Sequence, residues 1–160
     1  RSNDSEISNT LLPIRETDKI SLPFAVEMSP DSKPILLVKS KLNLKEQFKH
    51  DIKTKVFIYT SVIKQILTIY LSDNNFKNCY EKKRFINKVI SNTGTDPDLV
   101  EIPNYFDENN NINQEALDWI DNITSECLNN PVEFKGKKIN YITVFEKSCR
   151  EERFDEEDED

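Results

Sequence analysis

Apolar residues recur every three or four positions in three segments of the chain, which is the spacing that places side chains on one face of an α-helix. The segments run from about 44 to 72, from 75 to 92 and from 113 to 129. The β-branched run from Val56 to Val62 favours an extended backbone locally, so a break near residues 54–57 is the main alternative within the first segment. The pattern predicts two or three helices.

Shorter apolar runs lie on either side of these helical segments. Ser21–Val26 and Ile35–Lys39 are separated by a proline-containing turn, and they predict two short N-terminal strands. Leu99–Ile102 is a further strand candidate between two prolines. Over residues 132–146 apolar positions alternate on both sides of a Lys-Gly-Lys-Lys tip, which predicts a β-hairpin. The predicted fold class is therefore α+β.

The two ends of the chain lack this periodicity. Residues 1–20 are polar, with one small apolar group at Leu11, Leu12 and Ile14, and we expect them to be disordered. Residues 151–160 read EERFDEEDED, and such a run of like charges predicts a solvated, disordered acidic tail. A single α+β domain is then expected over residues 21–150.

The composition argues against most enzyme classes. Two glycines among 160 residues give no phosphate-binding loop, and a single histidine, His50, limits imidazole chemistry. Three cysteines lack both zinc-ligand spacing and a disulfide framework, which favours a reducing, intracellular compartment. No apolar run reaches the roughly 20 residues of a membrane span. We predict no catalytic activity, no cofactor, no metal and no membrane association.

One segment partly matches a calcium-binding loop. Oxygen-bearing side chains stand at positions 1, 3, 5, 7 and 12 of an EF-hand pattern, at Asp107, Asn109, Asn111, Asn113 and Asp118. The sixth position is Ile112 where the sharp turn needs glycine, and the twelfth is an aspartate, which is too short for the usual bidentate ligand. We therefore interpret the segment as a polar turn whose asparagines cap the following helix.

Charge is segregated along a chain of net charge −7 and pI near 4.9. Residues 33–92 carry 13 basic and 4 acidic side chains, whereas residues 93–134 carry 10 acidic and no basic ones. Lysines repeat along the first helical segment, and others stand in the second and at the hairpin tip. If they converge in the fold they form an anion-attracting surface, and the alternative is an ordinary solvated face. The only tryptophan, Trp119, is either a core residue or a partly exposed interface anchor. The candidate binding residues are Lys41, Lys45, Lys49, Lys83, Trp119 and Lys138.

Two functional hypotheses follow from these patterns. The first is a non-catalytic protein–protein interaction module of a larger intracellular eukaryotic assembly, nuclear or cytoplasmic, that binds protein partners through its basic helical face or the Trp119 region. The second rests on element order, since helices followed by a basic-tipped hairpin resemble a winged-helix domain whose wing is the hairpin. That alternative predicts nucleic-acid binding, although the acidic pI favours the first.

Overall fold

The computed structural model describes residues 12–159, and the side chains of all of these except residue 134 and residues 152–159. This part of the chain contains a three-stranded sheet, a two-stranded hairpin and five α-helices, so the predicted α+β class is confirmed. In chain order the elements are β1 (Ile14–Thr17), β2 (Phe24–Ser29), β3 (Ser32–Lys39), α1 (Leu44–His50), α2 (Ile52–Ser72), α3 (Tyr80–Asn92), α4 (Gln114–Asn129), β4 (Val132–Phe134), β5 (Lys137–Ile139) and α5 (Tyr141–Glu159).

Strand β3 lies at the centre of the N-terminal sheet, with β2 antiparallel on one side and β1 parallel on the other. Buried and half-buried residues alternate along β3, and Leu36 and Val38 are fully buried. This alternation is typical of a strand with one face covered by the core. The apolar runs Ser21–Val26 and Ile35–Lys39 thus locate two strands, although β2 begins later and extends to Ser29.

The expectation that residues 1–20 are disordered is wrong for β1. Leu12 is only 2% exposed and belongs to the core, and the backbone N–H of Leu36 donates to the carbonyl of Pro13 at 2.9 Å. A strand of four residues with two charges at its centre, Arg15 and Glu16, gives too few alternations for a sequence pattern to reveal it. Residues 1–11 lie outside the described residues.

The predicted single helix over 44–72 is wrong, because Asp51 separates α1 from α2. Its backbone is extended, with φ −111° and ψ 116°, and its carboxylate accepts a hydrogen bond from the Thr54 hydroxyl at 2.6 Å. Aspartate favours the first position before a helix over the interior of one. The break therefore falls three residues before the segment that the β-branched run suggested.

The second helix begins at Tyr80, not at residue 75. Asp73 caps a short 3₁₀ turn by accepting a hydrogen bond from the backbone N–H of Asn75 at 2.9 Å. Asn78 then takes a left-handed conformation with φ 61°, which ends the turn before α3 starts. The strand candidate Leu99–Ile102 is also wrong, since Pro97–Leu99 form a 3₁₀ turn and no strand follows before α4.

The third helix agrees with its prediction to within one residue, but the hairpin is shorter than predicted. Strands β4 and β5 enclose Lys135 and Gly136, both with positive φ, which is the type I′ geometry of a two-residue hairpin loop. Asn140 accepts a hydrogen bond from the backbone N–H of Thr143 at 3.2 Å at the start of α5. Residues 141–146, assigned to the hairpin from their alternation, are therefore helical.

Helix α5 changes two further expectations. Its backbone is helical to Glu159, so it includes residues 151–159 of the predicted acidic tail. It also follows the hairpin directly, and the main sheet precedes all the helices, so the order of elements lends the winged-helix alternative no support. Among the described helices, none is both long and apolar enough to cross a membrane.

The core is built around α2, which packs against α1, α4, α5 and the sheet. Val62, Ile66 and Leu67 are fully buried along it. Tyr70 is 1% exposed, and its ring lies 5.3 Å from that of Phe76 and 5.8 Å from that of Phe85, which fixes α3 against α2. The same core carries the helix pair between which the candidate site lies.

The buried thiol of Cys127 predicts a loss of stability at alkaline pH. Burial raises the pKa of Cys127 from 9.0 to about 11, and it also raises the pKa of Tyr59 and of Tyr70. Between these pH values the unfolded thiol ionises while the folded one stays protonated, so the free energy of unfolding falls as pH rises. For Cys127 alone the loss by pH 11 is on the order of 2 kcal/mol.

Urea denaturation of the whole chain at pH 8, 9, 10 and 11 measures this loss. In Cys127→Ala the decline should be shallower, whereas in Cys149→Ala, which alters an exposed thiol, it should match the unmodified chain. Equal slopes in all three proteins would contradict the assignment to Cys127.

Candidate functional site: an acidic loop with exposed apolar side chains

The structure distributes the predicted binding residues over several elements. Lys41 lies in a 3₁₀ turn before α1, Lys45 and Lys49 are half-buried on α1, and Lys83 is exposed on α3. Lys138 is exposed on β5, directly opposite Glu133 on β4. Trp119 is partly buried on α4 and packs against the core.

Part of the predicted basic surface comes together at the junction of α1 and α2. The hairpin tip reaches this junction, where the ammonium group of Lys135 lies 3.5 Å from the carbonyl oxygen of His50. Glu46 lies at the same place, with its carboxylate 3.8 Å from the Lys49 ammonium and 3.4 Å from the His50 ring. The surface is therefore basic but partly neutralised.

The basic residues of α3 group elsewhere. Lys88 has a lowered pKa because it is partly buried and because Arg84 and Lys33, a residue of β3, repel its charge. Arg84 pairs with Glu81 at 3.5 Å. Contacts of the described residues link α3 to β3 at this place. The basic residues of α3 and those at the hairpin tip thus lie in different parts of the sequence-predicted basic block, and Trp119 is a separate candidate on α4.

The segment between α3 and α4, residues 93–113, for which the sequence predicts a polar connection, also carries exposed apolar side chains. We call it the acidic loop, because it contains five carboxylates and no basic residue. Four of the eight large hydrophobic side chains that are exposed among the described residues belong to it. They are Leu99 (81% exposed), Ile112 (55%), Phe106 (42%) and Ile102 (40%).

A compact turn holds two of these apolar side chains opposite each other. Phe106 and Ile112 form an antiparallel β-bridge between two backbone hydrogen bonds, from Asp107 N–H to the Asn111 carbonyl and from Asn113 N–H to the Tyr105 carbonyl, both 2.8 Å long. Residues paired in this way have neighbouring side chains on one face. The loop thus presents a fixed pair of exposed apolar groups.

The residues of the EF-hand-like pattern build this turn. Oδ1 of Asp107 accepts hydrogen bonds from the backbone N–H groups of Asn109 and Asn111, each at 2.9 Å. Asn113 caps α4 by accepting from the N–H of Glu115, and Asp118 accepts from the Gln114 amide. The interpretation as a polar turn that caps a helix is confirmed. No cluster of three or more potential metal-ligating side chains occurs among the described residues.

An open groove of about 400 Å³ runs beside the apolar pair. Four carboxylate residues line it, Glu101, Asp107, Glu108 and Glu115, along with Ile102 and Phe106. Glu115 lies on α4 one turn before Trp119, and residues four apart share a helix face. The predicted Trp119 region therefore adjoins the acidic loop.

The second described groove lies between α2, α4 and α5. It measures about 290 Å³, and an ion pair of 2.9 Å between Lys64 and Asp121 is part of its lining. Because the two charges neutralise each other, this groove presents no unpaired charge from Lys64 or Asp121 to a ligand, whereas the groove of the acidic loop presents several carboxylates.

The Asp107 carboxylate supports a prediction about the rigidity of the turn. In Asp107→Ala two backbone N–H groups lose their acceptor, so amide hydrogen exchange at Asn109 and Asn111 should speed up by about tenfold or more. The free energy of unfolding should fall by about 1 kcal/mol, because charge-assisted hydrogen bonds are lost at an exposed site. Hydrogen exchange followed by NMR measures the first quantity and urea denaturation the second.

Asp98→Ala is the matched control, since it removes an exposed carboxylate of the same loop that accepts no hydrogen bond from a described residue. It should leave exchange at Asn109 and Asn111 unchanged. If both variants behave alike, Asp107 does not organise the turn.

Comparison of the chain with models of protein families, with curated proteins and with solved structures finds no match to any of the three. The candidate site therefore rests on the geometry of this chain.

Proposed function

We propose that the protein is a non-catalytic protein–protein interaction module that binds its partner through the acidic loop. The single observation that carries the proposal is the Phe106–Ile112 pair, two large apolar side chains held exposed by a hydrogen-bonded turn. Exposed apolar side chains grouped at one place favour association, because covering them removes apolar area from water. A turn fixed before binding loses less conformational entropy when the partner docks.

Other features support an intracellular interaction module over an enzyme. None of the three cysteines forms a disulfide, as is typical of proteins in a reducing compartment. The single histidine, His50, is exposed and paired with Glu46 at 3.4 Å, so it has no buried setting for acid–base catalysis. The proposal moves the interface from the basic helix face to the loop, next to the predicted Trp119 region.

Affinity purification of the tagged chain from cells that express it, followed by quantitative mass spectrometry, tests the proposal. The double variant Phe106→Ser/Ile112→Ser should recover its specific partner at roughly a tenth of the unmodified level or less, as loss of an interface anchor predicts. Leu22→Ser/Leu42→Ser is the matched control, since these exposed apolar residues lie outside the loop. Equal recovery by the two variants would refute the loop as the interface.

Polyanion binding is the second candidate, and the approach of Lys135 to His50 favours it, since this contact brings the hairpin tip to the basic helix junction. Lys137→Glu/Lys138→Glu should then elute from heparin at lower salt, whereas Lys19→Glu/Lys77→Glu, at exposed sites elsewhere, should change elution less. Deleting residues 151–160, which carry eight acidic side chains, should raise the eluting salt concentration. If neither change affects elution selectively, the basic residues are only a solvated surface.

A further inference from the structure

The apolar surface of the acidic loop lies within the most acidic internal segment of the sequence. Residues 93–134 carry 10 acidic side chains and no basic one. Of the carboxylates that line the groove, Glu101, Glu108 and Glu115 form no ion pair with any described residue. The bound partner must therefore place its own groups next to several carboxylates that have no counter-charge among the described residues.

The charge decides which partner fits. An acidic or neutral segment that covers Phe106 and Ile112 would bring the neighbouring carboxylates into a drier environment without compensation, which costs free energy. A cationic side chain, by contrast, gains charge-assisted hydrogen bonds from the same groups. Complementary charge also orients the partner before contact and excludes partners of the wrong sign.

We infer that the partner of the acidic loop is a basic polypeptide segment in which lysine or arginine side chains flank apolar ones. Its apolar side chains pack on Phe106 and Ile112, while a cationic side chain enters the groove between Glu101, Glu108 and Glu115. This inference rests on the proposed function and adds the chemistry of the partner to it. The groove volume of about 400 Å³ accommodates a side chain of the size of arginine.

The test uses three synthetic 16-residue peptides that share the same leucine and phenylalanine positions and differ only in the polar positions, which are all arginine, all glutamine or all glutamate. Each is titrated into the ¹⁵N-labelled full chain and followed by NMR. The arginine peptide should bind at least about tenfold more tightly than the glutamine peptide, the glutamate peptide should bind most weakly, and the amides of residues 101–115 should shift.

Glu108→Lys and Glu126→Lys form the matched pair of variants, since each reverses one exposed charge of the acidic region and only Glu108 lines the groove. Glu108→Lys should weaken binding of the arginine peptide by about fivefold or more, and Glu126→Lys by less than about twofold. Raising the salt concentration from 0.05 to about 0.5 M should also weaken it, because salt screens exposed charges.

Several outcomes would overturn the inference. If the arginine and glutamine peptides bind equally and both depend on Phe106, the apolar interface of the proposed function stands and the basic partner does not. If no peptide binds, the basic partner is likewise rejected, while the affinity purification decides the proposed function separately. If the same amides shift when the chain alone is concentrated, a second copy occupies the surface and the inference is wrong.

Discussion

Replacing Leu12 with alanine is expected to lower the free energy of unfolding by about 2–5 kcal/mol, the range for a buried leucine whose removal leaves a cavity. Leu12 is 2% exposed and belongs to the same cluster as Leu36 and Val38 of β3. A loss of this size would place the residues just before β1 within the cooperative unit. Urea denaturation followed by circular dichroism measures it.

Leu22→Ala is the matched control, since it makes the same chemical change at a side chain that is 63% exposed. It should alter the free energy of unfolding by no more than about 0.5 kcal/mol. Similar small losses in both variants would mean that Leu12 does not pack on the sheet, and that the folded unit begins near residue 21.

The second large effect is expected at Phe85, where alanine should lower the free energy of unfolding by about 3–5 kcal/mol. Phe85 is 5% exposed on α3, and its ring lies 5.8 Å from that of Tyr70 on α2. Phe106→Ala, by contrast, removes an equal side chain at a site that is 42% exposed, and it should cost about 1 kcal/mol or less.

The comparison of the two phenylalanines separates folding from binding. Phe85→Ala should lower the denaturation midpoint strongly, and where it still folds it should recover the partner at the unmodified level. Phe106→Ala should leave the denaturation midpoint nearly unchanged and should lower partner recovery. If Phe85→Ala is too unstable to purify, Phe85→Leu, with a smaller volume change, provides the same contrast. A large loss of stability in Phe106→Ala would show that this residue belongs to the core and is not an interface residue.

The helical segments were predictable where a long apolar period met a clear end signal. The third segment has both, since Asn113 caps it and residue 131 is a proline, and its observed bounds differ from the predicted ones by one residue at most. The first segment has an uninterrupted period, but the backbone of Asp51 is extended and separates α1 from α2, which no apolar spacing reveals. The apolar residues at 139–145 are compatible with the spacing of a strand and with that of a helix. The hydrogen bond that Asn140 accepts from the Thr143 N–H caps a helix at this place.

The candidate site could be predicted only in part. The asparagine-rich segment after Asp107 indicated a capping turn, and that turn exists. The proposed binding role of this turn depends on Phe106 and Ile112, which belong to no periodic pattern of apolar residues in the sequence. Only the pairing of the chain across the turn brings them together. Similarly, the four-residue spacing of the lysines predicts one continuous row only if residues 44–72 form a single helix. The break at Asp51 places the lysines that follow it on a second helix, α2.

The mixed pairing of the N-terminal sheet has a consequence for how the chain folds. Strands β2 and β3 are joined by the two-residue turn Pro30–Asp31, so this hairpin can close on a timescale of about 1–10 μs. Strand β1 pairs with β3 from 22 positions away, Ile14 opposite Leu36, and its docking closes a longer loop. Before β1 docks, the backbone N–H and C=O groups along one edge of β3 are unpaired. They can then pair with the same edge of another molecule. The refolding yield should therefore fall as protein concentration rises.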